Sequence, residues 1–432
     1  PTGLRRAVVA STASKAVEVA SLVLLATAVP RALGPTDFGR FSVALTLVTL
    51  GSLALTLGGP TLMARVVPAA PTDDQIPLAR AIGVRLAKGR AVQVAVVTAG
   101  LLGVALVEPD VVTPLAAALG LLAFALNVGT SLALQVALGL GHTVPWSVRY
   151  PLQNLVLVAA VLTLYPAFGM EGAYAAILVS AVAGAVLATV VVVRVAGGSH
   201  PRVDVPDGAI RFGILLAAGA ALVQVTQRGG VVAVALWSGS SRQVGYAALA
   251  IGVALGVTYA VLQAFTVALP HVAARTHRDD GAHDGEAPLR RMAWLVLVPL
   301  LALAVVVAAT LDWCVPTVFG SEYAGADAAF GPALALLVLA PLSALCTQVV
   351  ALRLRSSVAA IAGVAGAVAF LVVAILAVPP WGAVGGTAAA YAGGLVAVVV
   401  ATRALPRAAG AGLVATSLLG SATVATLAAL VT

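Results

Sequence analysis

Apolar residues along this chain come in runs of about twenty, without the every-second-residue alternation that a half-buried strand requires. At about 20 residues per crossing, the pattern predicts helices near 8–29, 41–66, 86–107, 111–140, 144–165 and 171–195. A polar break follows. Seven more are predicted near 209–237, 243–270, 289–311, 328–351, 356–378, 382–403 and 411–432. The expected organisation is an N-terminal lobe over 1–195, a cytoplasmic linker over 196–208, a C-terminal lobe over 209–403 and an additional helix over 404–432. Lys15 and Glu18 interrupt the first run, which therefore reads as a permanent span and not a cleaved signal peptide. Pro1 is not an initiator and the last run stops abruptly at Thr432, which leaves room for a fourteenth span.

Composition narrows the class. Hydrophobic residues make up 61% of the chain and charged residues 9%, against about 45–50% and 25% in soluble domains. A soluble globule and a disordered chain are both excluded. Collagen fails because the 43 glycines have no three-residue period, and an outer-membrane barrel fails because its strands would alternate in polarity. An all-α integral membrane protein of about 13 spans is the expectation. Two cysteines, Cys314 and Cys346, are too few for a disulfide framework.

With an N-terminus-inside topology, 19 of the 24 basic residues fall on the inner side, among them Arg80, Arg85, Lys88, Arg90 and Arg149. Only Arg31, Arg40 and Arg242 fall outside, and Lys15 and Arg228 lie within the membrane. That asymmetry predicts a multi-pass protein of the cell (plasma or inner) membrane with a cytoplasmic N-terminus. Nucleic acid is not an expected partner, since the excess charge is spread over loops and aromatics are only 5%.

The halves repeat. Shifted by 213 positions, residues 130–176 fall on 343–389 without a gap: Gln135 meets Gln348, Pro166 meets Pro379, and Gly169-x-x-Gly172 meets Gly382-x-x-Gly385. A weaker match pairs the segment from Gly34 to Phe41 with Gly239 to Tyr246. Six spans separate the equivalents, an even number, so the repeat is parallel with its axis along the membrane normal. It predicts two six-helix lobes around a central cavity.

Four stretches carry a resemblance: Arg31-Ala32-Leu33-Gly34-Pro35-Thr36-Asp37-Phe38-Gly39-Arg40-Phe41 running on to Arg65; Gln135–Gly141 with the Gly169-x-x-Gly172 junction; Phe319–Ala326 leading to Pro341-Leu342-Ser343-Ala344; and Trp381–Ala389. In these the chain resembles the polysaccharide and oligosaccharide-lipid flippases of the multidrug/oligosaccharidyl-lipid/polysaccharide (MOP) exporter superfamily. The resemblance implies a non-enzymatic transporter that moves a polyprenyl-pyrophosphate-linked glycan from the inner to the outer leaflet. Its partners would be that anionic glycan lipid, membrane lipids, and a glycan polymerase with other polysaccharide-assembly proteins. Where such proteins commonly read Asp-Arg on the seventh helix, this chain has Gln227-Arg228, which weakens the case for a titrating carboxylate there.

Charged groups inside a bilayer cost about 2.5–3.5 kcal/mol on insertion scales, so each one present needs a reason. Lys15 and Glu18, three apart on the first helix, either neutralise one another or serve a pyrophosphate and a coupling ion respectively. Gln224, Gln227 and Arg228 share one face of the seventh span. Arg228 lies 17 residues, about 25 Å, beyond Arg211 and is a candidate phosphate ligand, against a packing or snorkelling role. Arg149, beside Gln153 and Asn154, is a candidate for the same substrate, with an interfacial anchor as the competing reading.

Pro60, Pro151, Pro299 and Pro341 interrupt spans, as hinges or as static kinks. No cofactor or metal is expected: the stretch His271–Glu286 holds histidines and aspartates, but at no standard ligand spacing. No phosphate-binding Walker loop or Gly-x-Ser-x-Gly elbow is present. The rivals are a cation-coupled drug exporter of the same superfamily, a peptidoglycan-precursor flippase, and a non-transporting scaffold of a glycan-synthesis complex.

Overall fold

The computed structural model describes the backbone at 2–54, 63, 66–68, 70–107, 113–196, 203–205, 209–276, 287–352, 356–405 and 407–432. Side chains are described chiefly at 20–50, 70–91, 113–142, 144–195, 221–262, 287–350, 357–405 and 411–432. Among these residues every regular element is helical: α1 (Thr2–Ala54), α2 (Thr72–Val107), α3 (Pro114–Gly139), α4 (Thr143–Ala196), α5 (Ala209–Trp237), α6 (Ser241–Thr276), α7 (Ala287–Ala308), α8 (Leu311–Phe319), α9 (Asp327–Val338), α10 (Ala340–Leu352), α11 (Ser356–Ala401) and α12 (Arg407–Val431). Two short 3-10 turns, Ser321–Ala326 and Thr402–Ala404, complete the set.

Seven of the described helical stretches are long and apolar enough to cross a membrane, and two of them, Val144–Val195 and Ser357–Ala404, are 52 and 48 residues long. At 1.5 Å per residue, each of those two is long enough for two crossings. Their outward faces are apolar, as lipid demands and water forbids: Leu295, Leu376 and Leu419 are 76, 70 and 70% exposed. Exposed Trp237 and Trp313 sit at or near helix ends, and exposed Trp381 sits beside the Gly382 bend within α11, positions where an amphipathic indole favours the headgroup boundary. By contrast α9 and the first turns of α10 are buried on nearly all sides, as expected of a helix that is apolar all round. The predicted break at Pro341 falls at Leu339, because the proline ring has no N–H to continue the ladder. Pro151 and Pro299 sit inside α4 and α7, and Pro60 lies outside the described residues.

Internal packing groups the chain into two compact units, Pro1–Leu33 with Arg40–Ala218, and Gly34–Gly39 with Gly219–Thr432. In the first, α3 packs along α4 and α2 packs on α3. In the second, α9 lies against α6, α7, α11 and α12. The segment 34–39 touches the start of α6 backbone to backbone. A side chain on Gly39 would strike Ser241 O, and one on Gly245 would strike Pro35 O.

Both long helices turn at the repeat positions. Gly169 (φ 58°) breaks α4 and Gly382 (φ 49°) breaks α11, in a left-handed conformation that glycine adopts without steric cost. Three residues later the equivalence continues: a Cβ on Gly172 would collide with Leu164 O, and one on Gly385 with Ala377 O. Those two carbonyls are also 213 positions apart. Gln135 and Gln348, the matched glutamines, are 0 and 5% exposed. The 213-residue offset is thus repeated as local geometry.

Candidate functional site

Two polar groupings interrupt the apolar interior, one in each unit. In the first unit α2 presents a buried stripe of Ala79, Ile82, Leu86 and Arg90, spaced three and four apart. Its upper members pack with Met63, Val67 and Val136. Arg90 continues the stripe and is 2% exposed. Its Nη2 donates to Gln135 Oε1 at 2.7 Å and its Nη1 to Val128 O at 3.5 Å, while Gln135 Nε2 donates to Ser131 Oγ at 3.0 Å.

Arg149, nearly two turns into α4, is 3% exposed. Its Nε donates to Gln153 Oε1 at 3.1 Å, and its Nη2 reaches Asn127 O and Oδ1 at 3.3 and 3.4 Å. The guanidinium also lies 5.1 Å from the Tyr150 ring centroid. Gln153 Nε2 donates to Asn127 Oδ1 at 2.8 Å, and Ser180 Oγ donates to Gln153 O at 2.8 Å, so α3 and both limbs of α4 are tied together. Nearby, Asn154 Nδ2 donates to Ser21 Oγ of α1 at 3.1 Å.

The geometry gives two of the inner-side charges their surroundings. Arg90 is a core residue and not a solvated loop charge. The predicted span 86–107 contains it, but a hydropathy window carries no helical phase; its i+4 spacing from Leu86 is the available signal. Arg149 does not snorkel to the membrane surface, because Asn127 and Gln153 satisfy it in the interior.

In the second unit, Thr226 and Gly230 of α5 pack on α11, where close approach leaves no room for a Cβ: one on Gly230 would lie 2.5 Å from Gly386 O. Helical phase sets Gln224, Gln227 and Arg228 on the opposite face within an arc of about 100°. All three are half-buried. The amides of Gln224 and Gln227 hydrogen-bond to nothing among the described residues. The structure thus places these three residues together and Arg149 in a separate cluster, while the side chains of Lys15 and Glu18, and the segment 277–286 of the His271–Glu286 stretch, lie outside the described residues. No group of metal-ligating side chains occurs among the described residues.

A third feature was missed. The stretch 311–326 forms α8 and a 3-10 turn; Asp312 and Glu322 had removed it from any apolar run. There Tyr323 is 1% exposed and sits between Phe38 and Tyr246, with ring centroids 6.5 and 6.2 Å away. Arg242, read as a loop residue, instead opens α6: its Nε donates to Tyr246 OH at 2.6 Å and its Nη2 to Glu322 O at 3.4 Å.

Solved structures share the whole architecture. The lipid II flippase MurJ in an inward closed conformation matches with a TM-score of 0.67 at 9% identity, over 98% of this chain and 96% of that one. An inward-facing multidrug-resistance MATE-family transporter of the MOP superfamily matches at 0.62 and 16%, over 94 and 95%. A MOP-superfamily transporter from Pyrococcus furiosus, whose binding pocket is described as of reverse polarity, matches at 0.56 and 14%, over 98 and 96%. No protein-family model matches the chain, and neither does any curated protein. The class is therefore a multi-pass, all-helical membrane protein with the fold of the MOP-superfamily transporters.

Proposed function

We propose that the chain is a MOP-type flippase that moves a polyprenyl-pyrophosphate-linked oligosaccharide or related polysaccharide precursor from the inner to the outer leaflet by alternating access. One observation carries this reading: Arg228, Gln224 and Gln227 are gathered on the one face of α5 turned away from its glycine-packed side. A guanidinium there grips a phosphate bidentately, and the amides offer donors and acceptors to phosphate and sugar oxygens. On α1, Lys15 would meet the second phosphate and Glu18 would bind the coupling ion. The protein would act in the cell membrane with its N-terminus cytoplasmic, beside a glycan polymerase and other assembly proteins.

The test is transfer of a fluorescent polyprenyl-pyrophosphate glycan across reconstituted liposomes. Arg228→Ala abolishes transfer while the protein stays folded, Arg228→Lys restores part of it because charge remains without the planar fork, and Arg291→Ala, on an exposed residue of α7, is nearly silent. Wild-type transfer by Arg228→Ala overturns the reading. The likeness to the MATE-family transporter favours a second reading, a cation-coupled drug exporter. That reading predicts drug efflux under a cation gradient and no glycan-lipid transfer.

A further inference from the structure

The Arg149 cluster of the first unit, whose arginine the sequence offers as a ligand for the same anionic substrate, is not used by the proposal above. Arg149 is 97% buried, and its polar partners are neutral: the Gln153 and Asn127 side-chain oxygens and one backbone carbonyl. These bonds run from 3.1 to 3.4 Å, longer than the roughly 2.7–2.9 Å of a guanidinium on an anionic oxygen. A carboxylate or a membrane surface would normally neutralise such a group. Here a second guanidinium, Arg90, lies near enough to repel it. Around the pair, Gln135, Gln153, Asn127 and Ser180 can rotate to donate as well as accept.

We infer that the first unit binds an oxyanion, a phosphate or diphosphate group, at Arg149, with Asn127 and Gln153 giving way to the ligand. Asn127 and Asn154 are only half-buried, so the cluster is open at that margin, while Arg90, Gln135 and Ser180 close its interior side. A bound oxyanion shortens the Arg149 hydrogen bonds to the charge-assisted range and offsets the repulsion between the guanidiniums.

The full chain is purified in a neutral detergent, and pyrophosphate is titrated at constant ionic strength set by sodium chloride, with thermal unfolding and calorimetry as readouts. Wild type shows a saturable rise in unfolding temperature. Arg228→Gln removes whatever the α5 face contributes and still shows a saturable rise, so the response that remains belongs to the first unit and is separate from the transport reading. Asn127→Asp places a permanent carboxylate on Arg149: the ligand-free protein becomes more stable, and its pyrophosphate affinity falls about tenfold or more. Arg149→Gln loses the response; should it fail to fold, Asn127→Asp still decides.

A parallel arm uses nanodiscs with and without a long-chain polyprenyl phosphate. A response to the lipid alone assigns a lipid headgroup, and a response to pyrophosphate as well assigns a free or headgroup oxyanion. No response to either ligand overturns the inference, as does an undiminished response in Asn127→Asp. A purely structural Arg149 also predicts a more stable Asn127→Asp, but it leaves no ligand response in wild type to be lost.

Discussion

A single arginine can hold several elements when its donors point in different directions, and Arg242 does so at the start of α6. It reaches the Tyr246 hydroxyl and the Glu322 carbonyl and lies over the Tyr246 ring, 5.6 Å from its centroid. At this exposed position those interactions together are worth about 1 kcal/mol. Arg242→Ala therefore lowers the unfolding temperature measurably, whereas Arg291→Ala leaves it unchanged; equal midpoints for the two would remove Arg242 from the knot. The sequence places Arg242 only as an outer-side charge, because a residue between two apolar runs carries no sign of what it meets across the fold. Arg228, Gln224 and Gln227 were legible because their grouping is a matter of helical phase within one element. Arg90 and Arg149 were not, since their burial depends on the side-chain amides of Gln135 and Asn127 on α3, 45 and 22 residues away.

At the scale of elements, the apolar runs locate almost every helix, since one crossing fixes a length whatever the side chains. What they do not show is how abruptly two spans can join. The predicted spans 144–165 and 171–195 are two helical limbs that meet at Gly169, and 356–378 and 382–403 are two that meet at Gly382, with no loop between them. The break in α11 is held by Gln243 of α6, whose Oε1 accepts from Ala383 N at 3.0 Å, replacing a bond the kink removes. Because the limbs touch backbone to backbone just past each turn, Gly172→Val and Gly385→Val are expected to be comparably severe, splaying the two limbs. The check is the yield of monodisperse protein and its unfolding temperature. Tolerance of valine at either site contradicts the close approach.

For the whole molecule, the basic-residue asymmetry predicts which side of the membrane each helix end faces. In a background with Cys314 and Cys346 replaced by alanine, Asp73→Cys at the exposed start of α2 is expected to be protected from an impermeant thiol reagent in intact cells. Asp312→Cys at the exposed start of α8 is expected to react; the reverse pattern inverts the topology. The turns at Gly169 and Gly382 bear on biogenesis as well. Each joins its two limbs with no loop between them, so a half-synthesised pair has no hydrophilic loop that could wait in water on the far side while its second limb is translated. The insertion machinery must retain the first limb until the second emerges and release both as a hairpin. A photo-crosslinker in the first limb of α11 should therefore still mark the insertion machinery while the second limb is held inside the ribosome, and lose that crosslink once both limbs have emerged.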